Sequence, residues 1–174
     1  MHAQPPTALM QYAALHRDQR NILLHTICIP IMMLAMGWLL SPLLWQWPNW
    51  PAPAGALLLL GITGFYVYFA GYLGLVTSVL IAVLFCAGQL FYSWLGLISG
   101  SIVLLLGYLL HRLGHWYEGN YFLFRFQFPT LLAAPLFATA EIMRHLGFFH
   151  PLCAAIETRV GTSYVRDMVN VQSD

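Results

Sequence analysis

AGALLLLGITGFYVYFAGYLGLVTSVLIAVLFCAGQLFYSWLGLISGSIVLLLGYLLH (residues 54–111) contains no Asp, Glu, Lys or Arg. A stretch that long without charge cannot fold as the shell of a soluble domain, because nothing in it would face water. At about 20 residues per crossing, its length fits three tightly connected spans. Turns are expected near Gly71–Gly74 and near Gln89–Ser93, with two long tilted helices as the competing division. Gly96 and Gly100 form a G-x-x-x-G pair, a spacing that permits close helix contact.

The uncharged zone extends further back, to Asn21. Within it, ILLHTICIPIMMLAMGWLL (22–40) reads as a first, retained span carrying Pro30. A proline is tolerated there because neighbouring groups can satisfy the freed carbonyl. SPLLWQWPNWPAP (41–53) reads as a turn region. Trp38, Trp45, Trp47 and Trp50 look like an aromatic belt at the membrane interface. Ahead of the span, residues 1–11 read as a loose tail, and QYAALHRDQRN (11–21) as an amphipathic interfacial segment. Asn21 is placed to cap the helix that follows.

Composition agrees. Of 174 residues, 60% are hydrophobic and 7% charged, against roughly 25% charged in soluble domains. The net charge is +1 and there is no basic patch, so nucleic acid is excluded as a partner. Cys28, Cys86 and Cys153 stand far apart in apolar surroundings, without the paired spacing of a zinc site or redox dithiol. They read as buried small residues.

After the spans, FPTLLAAPLFATA (128–140) is short for a crossing and contains Pro129 and Pro135. A re-entrant or interfacial helix is expected. Glu141 is expected to pair with Arg144, three residues on. The last 25 or so residues read as lying outside the bilayer. The fold class is therefore all-α: a polytopic membrane helix bundle of about four spans plus that short helix, with residues 1–174 forming one integral membrane domain.

Parity then joins two polar stretches. With four spans between them, HRLGHWYEGN (111–120) emerges on the same side as HRDQRNILLH (16–25). Arg17, Arg20, Arg112 and Arg125 share that side, which the positive-inside rule makes cytoplasmic. His16, His25, His111 and His115 thus meet at one face. On a helix, His111, His115 and Glu118 form one stripe. Neutral imidazole is the commonest metal ligand, and non-haem iron commonly takes nitrogen and carboxylate donors. His16 and His25 lie on opposite sides of any continuous helix, so joint ligation requires a break between them. Asn21 as a cap offers that break. A lone interfacial histidine is ordinarily a polar ring at headgroup depth; four on one face favour a site. His2, His145 and His150 read as terminal or structural.

The chain resembles the 2-hydroxy fatty acid dioxygenase family. One motif is Y-x-x-x-H-x-x-x-x-N-x-x-x-H followed by I-P, here YAALHRDQRNILLHTICIP (12–30). The other is G-H-x-x-x-E with a later P-x-F-x-x-x-E-like end, here GHWYEG (114–119) and APLFATAE (134–141). LGFFHPLCAAIE (146–157) is also similar to that family. His111 departs from the pattern, as does GNYFLF (119–124). The resemblance implies an Fe(II)-dependent dioxygenase that shortens 2-hydroxy fatty acids by one carbon, using O2. It implies His16, His25 and His115 as iron ligands, with His111 as an added ligand, a supporting group or neutral. Asn21 and Glu118 would stand beside them, Glu118 orienting a ligand histidine. Arg17, Arg20 or Arg112 would hold the substrate carboxylate. The expected setting is a bacterial inner membrane, or the endoplasmic reticulum in a eukaryote, with homo-oligomerisation left open. Three rivals stay open: a di-iron desaturase or hydroxylase, which lacks its adjacent-histidine boxes here; a bis-histidine haem protein; and a non-enzymatic membrane carrier or scaffold.

Overall fold

The computed structural model describes residues 6–45, 54–119 and 128–168. These form α1 (Thr7–Ala14), α2 (Gln19–Trp45), α3 (Ala54–Glu118), α4 (Phe128–His145) and α5 (His150–Val160). The protein is an all-helical membrane bundle. Three helices are long and apolar enough to cross a bilayer: Gln19–Leu44, Ala54–Tyr92 and Leu95–Glu118.

The outward-facing side chains are those of a lipid-embedded protein. Leu60 is 68% exposed and Ile98 80% exposed, and Leu57, Val79, Val83, Leu90, Ile102 and Leu105 are exposed with them. Such a run of exposed aliphatic groups is stable in hydrocarbon and not in water.

The chain divides into two compact units, one formed by Met1–Ile27 with Leu109–Asp174 and the other by Cys28–Tyr108. The second unit contains no charged residue. Within it α3 breaks twice, at Gly71 (φ 56°, ψ −125°) and at Gly96 (φ 72°, ψ −174°). This yields helical segments over 54–70, 72–95 and 97–118. At Gly71 the chain doubles back. Gly74 lies against the Tyr66 carbonyl, where any Cβ would collide, yet in a straight helix these positions would be about 12 Å apart. The first turn therefore falls where the sequence predicts it. The second falls at Gly96, three residues past the expected Gln89–Ser93. Residues 89–93 remain helical, because a helix satisfies its own backbone and tolerates a few polar side chains. The positive φ falls instead on a glycine, which pays no Cβ penalty there.

Gly96 is thus a break and not half of a helix-contact pair, whereas Gly100 does pack closely, against Trp38 and Leu39. Trp38 also departs from the expected interfacial belt. It is buried, stacks on Phe91 with ring centroids 5.2 Å apart, and donates its indole N–H to the Gly96 carbonyl at 2.8 Å. That bond satisfies a carbonyl freed by the break, which hydrocarbon would otherwise leave unpaired. The side chains of Trp45, Trp47 and Trp50 lie outside the described residues, as does Arg125. Helix α2 runs on through the start of the expected turn region, with Pro30 and Pro42 inside it. Among the cysteines, Cys28 and Cys153 are buried as expected, while Cys86 is exposed.

In the first unit α1, α4 and α5 pack on one another. Small residues make this possible: Ala8 and Ala13 on α1, and Ala133, Ala134, Ala138 and Ala140 on α4, are all buried. Helix α4 is not among the membrane-crossing candidates; its central turns are covered by protein. It ends in a Schellman arrangement, with the Phe148 amide donating to Met143 O at 2.8 Å and Gly147 to Arg144 O at 3.0 Å, the pairing that closes a helix C-terminus. Arg144 bridges Glu141 at 2.7 Å, as its spacing predicts, and also Glu157 on α5 at 3.1 Å.

Candidate metal centre

The centre is built on the corner between α1 and α2. Helix α1 closes with short-range bonds, Leu15 N–H to Tyr12 O and His16 N–H to Ala13 O. Helix α2 then starts at Gln19. Its cap is Asp18: Oδ1 accepts the Arg20 amide at 2.9 Å, and the Asp18 carbonyl accepts the Ile22 amide. An aspartate at this position satisfies one of the amides left over at a helix start. The expected break between His16 and His25 therefore exists, but Asn21 does not make it. Asn21 sits inside the first turn of α2, fully buried, and its Nδ2 donates to Glu118 Oε2 at 2.8 Å.

Glu118, at the end of α3, fastens the corner. Oε1 accepts the Arg17 amide at 2.9 Å, and Oε2 accepts the Asp18 amide at 3.0 Å. The sequence expectation was that Glu118 would orient a ligand histidine. Instead it spends both oxygens on the corner backbone and on Asn21. It positions the loop that carries His16, one step removed from the imidazoles.

The histidines are oriented by carbonyls. His16 Nδ1 donates to Tyr12 O at 2.7 Å, and His25 Nδ1 donates to Asn21 O at 2.9 Å. A carbonyl can only accept, so each Nδ1 carries the hydrogen and each Nε2 keeps its lone pair. This is the arrangement metal-binding histidines usually adopt. Both bonds run four residues back along the chain. His16 Nε2 is buried with no hydrogen-bond partner. Burial pushes the His16 imidazole down to about 3, despite the Tyr12 carbonyl; His115 and His111 push the same way. It is neutral at physiological pH and available as a donor.

Ligand atoms of His16, His25 and His115 all lie within 4.8 Å of one another. Nitrogens bound to one metal at about 2.1 Å are themselves roughly 3–4 Å apart, so little movement separates this set from a coordinated one. His111 joins the ring cluster, with centroids 4.4 Å from His25 and 4.7 Å from His115, but it lies outside the three-atom set. Tyr12 stacks on His16 (centroids 4.0 Å, planes 9° apart), and Phe137 of α4 lies 5.2 Å from Tyr12. Close contact between helices also shapes the centre. A Cβ on Gly114 would come within 2.5 Å of Asn21 Oδ1 and 2.9 Å of His25 Nδ1.

The three arginines separate. Arg20 is committed: Nε and Nη2 hold both Asp18 oxygens at 3.0 and 2.7 Å, Nη2 also reaches Arg166 O at 2.8 Å, and the guanidinium lies 4.4 Å over the Tyr117 ring. A substrate carboxylate is expected there from the sequence; the carboxylate that Arg20 holds in the structure is Asp18. Arg112 is half-buried. Arg17 is buried, and its Nε and Nη2 have no hydrogen-bond partner.

Two residues absent from the expected site complete it. Residues near the C-terminus strap the corner: Gln19 N–H donates to Tyr164 O at 2.8 Å, Tyr164 N–H to Arg17 O at 3.0 Å, and Arg166 N–H to Asp18 Oδ2 at 2.8 Å. Arg166 Nη1 reaches Glu118 O at 2.7 Å. Asp18 was legible as a capping type two positions before Arg20. Arg166, 148 positions from Asp18, carries no local signal. His145 and His150 are exposed, away from any described cluster, and His2 lies outside the described residues.

Compared with protein-family models, with curated proteins and with solved structures, the chain matches none.

Proposed function

We propose that this protein is an Fe(II)-dependent dioxygenase that shortens 2-hydroxy fatty acids by one carbon. The observation that carries the reading is the convergence of His16, His25 and His115, with two tautomers set by backbone carbonyls. Burying a lone pair with nothing to accept costs about 1–3 kcal/mol, and a bound cation removes that cost. The donor set fits iron: imidazole suits Fe, Zn, Cu and Ni, and among the described residues the converging set contains no cysteine. Iron is preferred because the resemblance of the two histidine motifs implies oxygen chemistry.

His16, His25 and His115 would hold the metal, with His111 beside them. Bound Fe(II) would supply open coordination positions and the redox chemistry that O2 reduction needs. The proposed reaction balances without another reductant: RCH(OH)COOH + O2 gives RCOOH + CO2 + H2O. The bond between C1 and C2 breaks, and the substrate supplies all the electrons that O2 accepts. Glu118 and Asn21 act by positioning, holding the corner that presents His16 and His25. The apolar outer faces of α2 and α3 provide an environment for the acyl chain that water does not.

The described arginines all belong to the unit that contains the histidines, which under the positive-inside rule supports a cytoplasmic setting for the centre. The deciding experiment is anaerobic loading with Fe(II) and elemental mass spectrometry, wild type against His115→Ala. It is followed by product analysis with a 2-hydroxy fatty acid and O2. Near-stoichiometric iron lost in the variant, with a product one carbon shorter, is expected. Iron indifferent to His115 would sink the reading, leaving a carrier or scaffold, and a Soret band would replace it with a haem protein.

A further inference from the structure

Among the described residues, the corner holds a cation without an anion. Arg17 is 8% exposed, directly follows His16, and has both Nε and Nη2 buried without a hydrogen-bond partner. A buried guanidinium is stable only when paired. The described carboxylates nearby are taken. Asp18 is held by Arg20 and the Arg166 amide, and Glu118 by the corner amides and Asn21.

Meanwhile the Arg17 backbone is fixed on both sides, its amide by Glu118 Oε1 and its carbonyl by Tyr164. The side chain therefore leaves a backbone point fixed on both sides, one residue from His16. Neither backbone bond depends on what that side chain is. Among the described residues no carboxylate forms an ion pair with Arg17, and the two other candidate arginines differ from it: Arg20 is saturated by Asp18, and Arg112 is half-buried.

We propose that Arg17 is the anion receptor of the site and that its ligand is the carboxylate of a long-chain acid. This rests on the dioxygenase reading for the identity of the acid, but not for the presence of the receptor. A guanidinium presents two parallel N–H donors matched to a carboxylate. Nε and Nη2, the two orphaned atoms, form one such edge. A lipid phosphate would satisfy the same edge, so the two sources must be separated by experiment.

The test is equilibrium binding to metal-free protein in detergent, where turnover plays no part. The probes are 2-hydroxyhexadecanoic acid, its methyl ester and phosphatidic acid. Wild type should prefer the acid over the ester by roughly tenfold or more. Arg17→Gln should erase that preference, and Arg17→Lys should restore part of it by charge alone. Iron content should stay at the wild-type level in both variants, which shows that the corner has folded. Loss of phosphatidic acid binding in Arg17→Gln with acid binding intact would overturn the proposal in favour of a headgroup site. Equal acid and ester binding by wild type would overturn it outright.

Turnover then separates the two ideas. A wild-type Michaelis constant in Arg17→Gln defeats the anchor and leaves the dioxygenase standing. Arg17-dependent acid binding with no turnover by iron-loaded wild type leaves the anchor and defeats the dioxygenase.

Discussion

Glu118 accepts the Nδ2–H of Asn21 at 2.8 Å across 97 positions of sequence, tying the last turn of α3 to the first turn of α2. Its other bonds hold the Arg17 and Asp18 amides. Removing this acceptor leaves three buried donors unsatisfied. Glu118→Ala should therefore lower stability by roughly 2–4 kcal/mol. Glu118→Gln should cost about half of that, since one oxygen remains but its amide faces a donor. Thermal unfolding in detergent checks the order. Iron affinity should fall in both variants, because His16 rides on the same corner.

The metal centre makes a graded prediction. Alanine at His16, His25 or His115 removes one of the three converging atoms, and each should abolish stoichiometric iron. His111→Ala should reduce iron affinity by a smaller factor, since its ring neighbours the set without belonging to it. Elemental analysis of the four variants, loaded in parallel, measures this. Equal losses at all four positions would make His111 a full ligand.

Gly114 supports that centre through its lack of a side chain. In Gly114→Ala, the new methyl would press on Asn21 Oδ1 and the His25 ring. Both are fully buried and cannot give way without shifting α2. Overpacking of this kind costs typically 1–3 kcal/mol. The variant should be less stable by that amount and should bind iron more weakly, by displacing His25. Gly61→Ala meets open space and is the control for helix propensity alone.

The spans were legible because absence of charge is a local property: any window between Asn21 and His111 displays it. The histidine set was legible because the titratable groups of so apolar a chain gather in two short polar stretches, 16–25 and 111–120, and three of those histidines converge. What escaped was long-range. Asp18, Asn21 and Ser-type caps look alike in a polar stretch such as HRDQRN, and the choice of Asp18 depends on Arg20 and on Arg166, far along the chain. Glu118 lies on the same helical stripe as His111 and His115, so periodicity assigned it to the imidazoles. Competition from the unpaired corner amides, invisible in the sequence, decided otherwise. Trp38 misled for a related reason. Its indole N–H found a carbonyl freed at Gly96, inside the bundle rather than at the interface.

The strap is testable through Arg166. Its guanidinium donates to the Glu118 carbonyl, at the end of α3, where a cation also complements the helix dipole. Arg166→Ala keeps the backbone bond to Asp18 but loses this contact. A loss of about 1 kcal/mol is expected, together with faster proteolysis after residue 160. Unchanged proteolysis would mean that the Tyr164 bridge alone holds the strap.

Glu141 predicts a pH dependence. Burial raises its carboxyl above the ordinary 4.5, against the opposing pull of Arg144 and His145. The native state therefore holds its proton more tightly than the unfolded chain does. The stability this contributes is fully present below pH 4.5 and is lost as pH rises through the higher native value. Glu141→Gln has no proton to lose, and Arg144 keeps Glu157 as a partner at 3.1 Å. Unfolding midpoints of wild type should fall relative to those of Glu141→Gln as pH rises above 4.5. The two curves should converge toward the acid end. Parallel curves would mean that Arg144 outweighs burial and that Glu141 is ionised throughout.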